Sequence, residues 1–426
     1  MLNGPTSAAG AESLQAGKFG VRILDLAHQL AQWSELPEGL MCTYFSPAHK
    51  AVAAQLRDWM RSAGLHADID AVGNVIGRYT SAAATAKTLI VGSHYDTVAH
   101  AGQFDGRLGI LAALVVAEHL HRTGRRLPFH LDVVGFSEEE GVQFSAPYIG
   151  SAAIAGCFDE TALQRRDAKG VSLAAVMRDA GVDLVAIRAL ARRPETLRGY
   201  LEIHIEQGPV LLQRDLPVGI VTSIAASARF QVAIRGVAGH AGTVPMALRH
   251  DAATAAAEIV LAVEQRCAAG ATLVGTVGQL AVPHGLMNVV PGRCDLSIDI
   301  RAGDDETRDA AIADVLAAVN RIAARRGVTA DVVDIGRHAA VPCAPLMQSA
   351  LAKAVARAGI EPFHLASGAG HDAAKFAGVT DIGMLFVRCG NGGISHSPLE
   401  TITADDADLA ARVLLDVLVT LDQPDC

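Results

Sequence analysis

Apolar residues along this chain recur with two different periods. Between Ala48 and Ala63 they fall at Val52, Leu56, Trp59, Met60 and Ala63, a spacing of three and four that lines one side of a helix. Thr88 to Gly92 (TLIVG) is a short unbroken apolar run, as a buried strand gives. Leu108 to Leu120 is an alanine-rich helix, and Phe129 to Ser137 (FHLDVVGFS) and Tyr200 to Glu206 (YLEIHIE) are strands. Strands alternating with helices predict an α/β fold, a mixed sheet with helices on both faces. A second rhythm begins near Gly219. Arg229 to Arg235 alternates as a half-exposed strand, Ala252 to Cys267 is helical, Ala271 to Val282 and Cys294 to Ala302 are strands, Asp305 to Arg326 is a long helix, and Val328 to Ile335 is a strand. That order is βαββαβ, a ferredoxin-like layout. Helix Pro345 to Ala358 and strand Ile382 to Val387 resume the first style. The expected organisation is one domain made of residues 1–215 and 335–426, interrupted by an inserted domain at 216–334.

Composition narrows the choice. At about 150 residues per domain, 426 residues make two or three domains. Half the residues are hydrophobic and 19% are charged, which excludes intrinsic disorder. Lys plus Arg is 36 against 45 for Asp plus Glu, and a net charge of −9 argues against a nucleic-acid partner. Cysteines at 42, 157, 267, 294, 343, 389 and 426 form no C-x-x-C pair and are odd in number, which suits free thiols in a reducing compartment. The longest apolar run, Leu108 to Ala117, stops at Glu118 and His119, well short of the roughly 20 residues of a membrane span. The first twenty residues lack a basic start followed by an apolar stretch and do not read as a signal peptide. The expectation is a soluble, cytoplasmic protein.

Several polar clusters sit where strands end. His94, in Gly92-Ser93-His94-Tyr95-Asp96-Thr97-Val98, follows the TLIVG strand, and open α/β sheets bind ligands at carboxyl ends of strands. Its imidazole is a metal ligand or a loop histidine, with Asp96 as its holder or a cap. Asp105, in Gly102-Gln103-Phe104-Asp105-Gly106, is either a helix cap or a carboxylate able to bridge two cations. Glu138, Glu139 and Glu140 end another strand. Their mutual repulsion is tolerable in solvent, or offset by bound dications, leaving one carboxylate on the metal and one as a base. Period two puts Glu202, His204 and Glu206 on one face of their strand, either the solvent side or a ligand face. Gly392-Gly393-Ile394-Ser395-His396-Ser397-Pro398 and Gly239-His240-Ala241-Gly242-Thr243 are glycine-rich loops, each with one histidine. Three histidines and two carboxylates together match the N/O donor set of a two-metal hydrolase.

The strings GSHYDTV, FDG, EEEG, EIHIEQGPVL, GHAGTVPM, SGAGHDA and GISHSP occur in that order from about residue 92 to 398. As a set they resemble the metal-dependent amidohydrolase branch of the M20 peptidase family, which holds N-carbamoyl-L-amino-acid hydrolases, β-ureidopropionases and allantoate amidohydrolases. The resemblance implies two divalent cations (Zn, Mn, Co or Ni), one held by His94, Asp105 and His204, the other by Asp105, Glu140 and His396. It implies Glu139 as general base and Asp96 as the partner of His94. Histidine at 204, where peptidase branches carry a carboxylate, points to the carbamoylase branch. The inserted domain resembles a lid and dimerisation domain, with His240 reaching across a homodimer to the oxyanion. Gln207, Asn288, Arg301 and the backbone of Gly370 are implied substrate contacts. Arg229 aligns with an arginine that binds allantoate, although a lone arginine at a strand start also reads as a solvated side chain. Arg301 suits bidentate carboxylate binding, or an ion pair with Asp299 or Asp304. The chain departs from the family at Val142-Gln143-Phe144, where Ser-Arg-Phe is common, and in a longer loop from Cys389 to Ile394.

The implied reaction is hydrolysis of a linear ureido compound, allantoate or an N-carbamoyl-L-amino acid, with release of ammonia and carbon dioxide. The competing readings are an M20 dipeptidase or deacylase and a metal-binding homologue without catalysis. His119, His121, His130 and the cluster Arg122, Arg125 and Arg126 read as structural or solvated.

Overall fold

The computed structural model describes residues 18–270 and 272–421. Cys426 and residues 1–17, most of the stretch that does not read as a signal peptide, lie outside the described residues, as does Ala271. The fold is mixed α/β, and the chain divides into two compact units. The first takes residues up to Gly219, Ala350–Pro362 and the chain from Leu385 onward; the second takes Ile220–Ser349 and Phe363–Met384.

In the first unit the sheet is mixed. Thr88–His94 runs parallel to His130–Phe136 on one side and to Leu197–Ile205 on the other. Antiparallel strands Val75–Tyr79 and His66–Ile69 extend it beyond His130–Phe136. Thr88–His94 and His130–Phe136 are buried at every residue, the state that continuous apolar runs favour in parallel strands. Helix Pro47–Ser62 starts at Ser46, whose hydroxyl accepts the His49 N–H, with proline at the first helical position. It packs with helix Arg107–Arg122 on one face of the sheet: Leu56 and Ile110 both flank Gly135. Glu202 and Glu206, on the face that period two left open as solvent-facing, are buried instead. Glu202 takes the Ser93 and Tyr200 hydroxyls, and Glu206 takes the N–H groups of Val210 and Leu211.

In the second unit, antiparallel strands lie in the order Leu273–Thr276, Arg293–Ala302, Ala226–Arg235, Thr329–His338. Helices Ala252–Ala268 and Asp305–Arg326, capped by Asp251 and Asp304, cover one face. Phe230, Val232, Leu296, Ile298, Ile259 and Val315 form its core. The strand expected over 271–282 is two pieces, Leu273–Thr276 and Leu280–Ala281. Three residues lie between Thr276 and Leu280, but only two between their partners Asp299 and Leu296. The Ser297 hydroxyl accepts the Gln279 N–H at 3.0 Å across this bulge.

Among the described residues no helix is long and apolar enough to cross a membrane, and six cysteines are free. His130 is buried, with Nδ1 accepting the Ser81 N–H, while His121, Arg122, Arg125 and Arg126 are exposed.

Candidate metal centre

The parallel strands deliver side chains from their carboxyl ends. His94 closes its strand directly opposite Phe136, the last residue of the neighbouring strand, so Glu138–Glu140 emerge beside it. His204 is the penultimate residue of the third strand. Asp105 comes from the loop before helix Arg107–Arg122. It does not cap that helix: Gly106 is the N-cap residue and gives no side-chain bond. Gly106 has φ +65°, and a Cβ there would lie 2.5 Å from the His94 ring, so glycine lets the imidazole lie against this turn. His396 comes from the late glycine-rich loop, also with positive φ, 53°.

These groups meet on Asp105. Its Oδ1 lies 3.2 Å from His204 Nε2 and 3.6 Å from His94 Nε2, and its Oδ2 lies 3.0 Å from His396 Nε2. Glu140 Oε1 is 3.5 Å from the same His396 nitrogen. One ligand atom from each of His94, Asp105 and His204 lies within 4.8 Å of the others. The same holds for Asp105, Glu140 and His396, and for His94, Glu139 and Glu140. Asp105 belongs to two of these groups and turns one oxygen to each.

The hydrogen bonds fix which nitrogens are available. His94 Nδ1 donates to the Asp96 carbonyl at 3.1 Å, and His204 Nδ1 to the Ile205 carbonyl at 2.9 Å. Both Nε2 atoms are thereby turned towards Asp105, as imidazoles oriented for a metal are. Asp105 Oδ1 is buried and has no hydrogen-bond donor. Lone pairs facing a buried carboxylate oxygen require a positive charge between them, a proton or a cation. Titration follows the same logic. Burial alone would lower the His94 and His204 pKa values, but Asp105 raises both above the usual histidine range. The Asp105 contact pushes His396 up to about 9. Burial would raise Asp105, yet His204, His396 and His94 hold it well below the carboxylate range. Burial pushes Glu140 up to about 7. Three imidazoles and two carboxylates suit Zn, Mn, Co or Ni.

Asp96 lies near His94, but the closer contact is through its carbonyl; its carboxylate is 3.5 Å from Nδ1. That carboxylate accepts the N–H groups of Glu139 and Glu140 and so orients the acidic turn. Gln207, with φ 55°, donates from Nε2 to Asp105 Oδ2 at 2.9 Å. Four further residues support the centre, and of these only Ser395 lies in a sequence motif. His49 donates to the Ser137 carbonyl at 2.7 Å, Asn74 accepts the Ser137 N–H, and Glu400 and Ser395 bond around Asp105.

The other candidates lie in the second unit. Arg229 and Arg301 both bond Asp299, Arg229 through Nε at 3.0 Å and Arg301 through Nε at 3.0 Å and an Nη at 3.1 Å. Arg301 also reaches the Gly368 carbonyl at 2.8 Å. The ion pair with Asp299, one of the two alternatives for Arg301, is therefore present. These residues, with Gln231, Gln279 and Ser297, line a cavity of about 710 Å³. His240 and Asn288 are exposed; Gly239–His240 pairs with Val289–Val290, and the Ala241 N–H donates to the Asn288 carbonyl. Gly370 is exposed.

A family model described as peptidase family M20/M25/M40 matches residues 90–420. An N-carbamoyl-L-amino acid amidohydrolase of Geobacillus stearothermophilus is 39% identical over 396 residues, 93% of this chain and 97% of that protein. Allantoate deiminase 2 of Glycine max is 37% identical over 426 residues, 92% of this chain and 88% of that protein. A solved amidase of the hydantoinase/carbamoylase family from Burkholderia multivorans superposes with a TM-score of 0.88 at 30% identity, covering 96% of this chain and 98% of that one. With the family match spanning well over half its length, this chain belongs to the M20/M25/M40 peptidase family.

Proposed function

We propose that this chain is a metal-dependent amidohydrolase that cleaves the C–N bond of a linear ureido compound, allantoate or an N-carbamoyl-L-amino acid, and releases ammonia and carbon dioxide. The observation that carries this reading is the gathering of His94, His204, His396 and Glu140 around the two oxygens of one buried aspartate, with Glu139 at its edge. Relatives named for exactly these two activities, each at 36% identity or more, support it.

In this reading His94, Asp105 and His204 hold one divalent cation, and Asp105, Glu140 and His396 hold a second. Such a pair, when bound, would lower the pKa of a water held at the site towards neutrality. Glu139 accepts a proton from the attacking water and returns it to the leaving nitrogen. Asp96 holds Glu139 and Glu140 by their backbone N–H groups. His240, from a second copy of the chain, stabilises the oxyanion, and Gln207, Asn288, Arg229, Arg301 and the Gly370 backbone contact the substrate. Asp299 keeps the planar faces of Arg229 and Arg301 in fixed orientation for a substrate carboxylate. Residues 216–334 act as a ferredoxin-like lid and dimerisation domain. The acidic balance and free thiols support a cytoplasmic enzyme with no nucleic-acid or membrane partner.

The test is ammonia release from allantoate, N-carbamoyl-methionine and N-carbamoyl-β-alanine, beside dipeptide hydrolysis, with Mn, Zn or Co added. Ureido turnover above peptide turnover is expected. Faster peptide turnover would revive the dipeptidase reading, and no turnover of any substrate would leave a non-catalytic metal binder. Arg229→Ala separates the two ureido classes: it should weaken allantoate more than N-carbamoyl-methionine.

A further inference from the structure

The loops that carry Asp105 and His396 are joined by a side chain with no role in the reading above. Glu400 is 4% exposed. Its Oε1 accepts the N–H of Phe104 at 2.8 Å and of Asp105 at 3.1 Å. Its Oε2 lies 2.9 Å from Ser395 Oγ, and that Oγ lies 3.0 Å from Asp105 Oδ2. Ser395 immediately precedes His396. The approach is close: a Cβ at residue 102 would lie 2.2 Å from the Glu400 carboxyl carbon, so Gly102 is what lets the acid reach under the loop. One carboxylate thus bonds the Asp105 backbone on one oxygen and, through a single hydroxyl, faces the Asp105 carboxylate on the other.

The two sides of Asp105 are held differently. Oδ1 faces His94 and His204, both on strands buried in the sheet. Oδ2 faces groups outside the strands: His396, Ser395 and Gln207. Loosening the joint between the two loops therefore acts first on the Oδ2 side.

We propose that Glu400, working through Ser395, is a positioning residue that fixes Asp105 against His396 and so sets the affinity of the metal position formed by Asp105, Glu140 and His396. This rests on the two-metal reading above. Partners that orient ligands typically change metal affinity by about 10–100-fold when removed. Glu400→Gln is the conservative variant: its amide oxygen keeps both backbone bonds, and its NH₂ donates to Ser395 Oγ, freeing the serine proton for Asp105.

The experiment titrates metal-free wild type, E400A, E400Q and S395A with Mn²⁺ by calorimetry, and follows amide hydrogen exchange at Phe104 and Asp105. Wild type should take up two equivalents. E400A should keep the first and bind the second at least about tenfold more weakly. S395A should weaken the second alone, and E400Q should restore it. Exchange at 104 and 105 should be slow in wild type and E400Q and fast in E400A. The kcat of E400A should recover as Mn²⁺ is raised, which a general loss of fold would not allow. Wild-type affinity at both positions in E400A and S395A, equal loss at both positions, or E400Q no better than E400A would each overturn the assignment. A wild type that binds fewer than two ions would overturn the two-metal reading itself, and this assignment with it.

Discussion

At the scale of single residues, three consecutive glutamates are separated by their surroundings. Glu138 is fully buried, and burial, with Asp96 and Glu140 nearby, raises its pKa well above the carboxylate range, which disfavours its charged form. Glu140 faces His396. Glu139 lies with His94 and Glu140 at the edge of the centre. A base must lose its proton to work, and a neutral acid need not, so amide replacement should divide them. Glu139→Gln should keep metal binding and lose turnover by about 10²–10⁴-fold, the usual share of general acid–base catalysis. Glu138→Gln, which removes a charge that burial already disfavours, should keep most of its turnover. Steady-state kinetics and metal titration of both variants check this; comparable losses in the two would remove the base role from Glu139.

At the scale of elements, the acidic turn depends on neighbours that no local pattern announces. His49, on helix Pro47–Ser62, donates to the Ser137 carbonyl, and Asn74, beside strand Val75–Tyr79, accepts the Ser137 N–H while donating to the Gly150 carbonyl. Asn74→Ala would take away the acceptor of the buried Ser137 N–H, at a cost of about 1–3 kcal/mol, measurable by denaturant unfolding. Burial pushes His49 down to about 4 from 6.5, despite its bond to Ser137. As pH falls, the unfolded chain protonates first. The stability tied to neutral His49 is complete above pH 6.5, declines below it, and is gone near pH 4, about 3 kcal/mol in all. The stability gap between wild type and His49→Gln should therefore close over that window; a gap that stays constant with pH would show that His49 is not the group responsible. The apolar strands Thr88–His94 and Ile382–Val387 and the helix Asp305–Arg326 were legible because their periodicity is local. Short strands such as His66–Ile69 gave too few residues to show a period, and the bulge near Ser297 has no sequence mark. Glu400 went unread for the same reason at longer range: its backbone partners, Phe104 and Asp105, lie 296 and 295 residues away. The centre's histidines and acids, with Asp96, were readable as a motif set, while His49, Asn74 and Glu400 were not.

At the scale of the molecule, the centre couples metal, protons and stability. Without a cation, the folded protein binds protons at His396 and Glu140 more tightly than an unfolded chain, with pKa values of about 9 and about 7 against 6.5 and 4.5. Those contributions to stability are complete below the unfolded values and are lost as pH rises through the folded ones. The metal-free protein should accordingly lose thermal stability from about pH 4.5, through Glu140, up to about pH 9, through His396. A bound dication reverses the trend, because it competes with the same protons and gains affinity as they leave. At a free metal concentration about 100 times Kd, binding adds about 2.7 kcal/mol, roughly 3 °C in Tm for a chain of this length. Chelation at pH 8 should abolish ammonia release and lower Tm; Mn²⁺, Zn²⁺ or Co²⁺ should restore both. The Tm gain on adding metal should grow from pH 6.5 to pH 9. Differential scanning fluorimetry across that range decides the matter: a gain that is flat with pH, or largest at the acid end, would mean that the cation does not displace protons from His396 and Glu140, and that the groups gathered on Asp105 hold it in some other way.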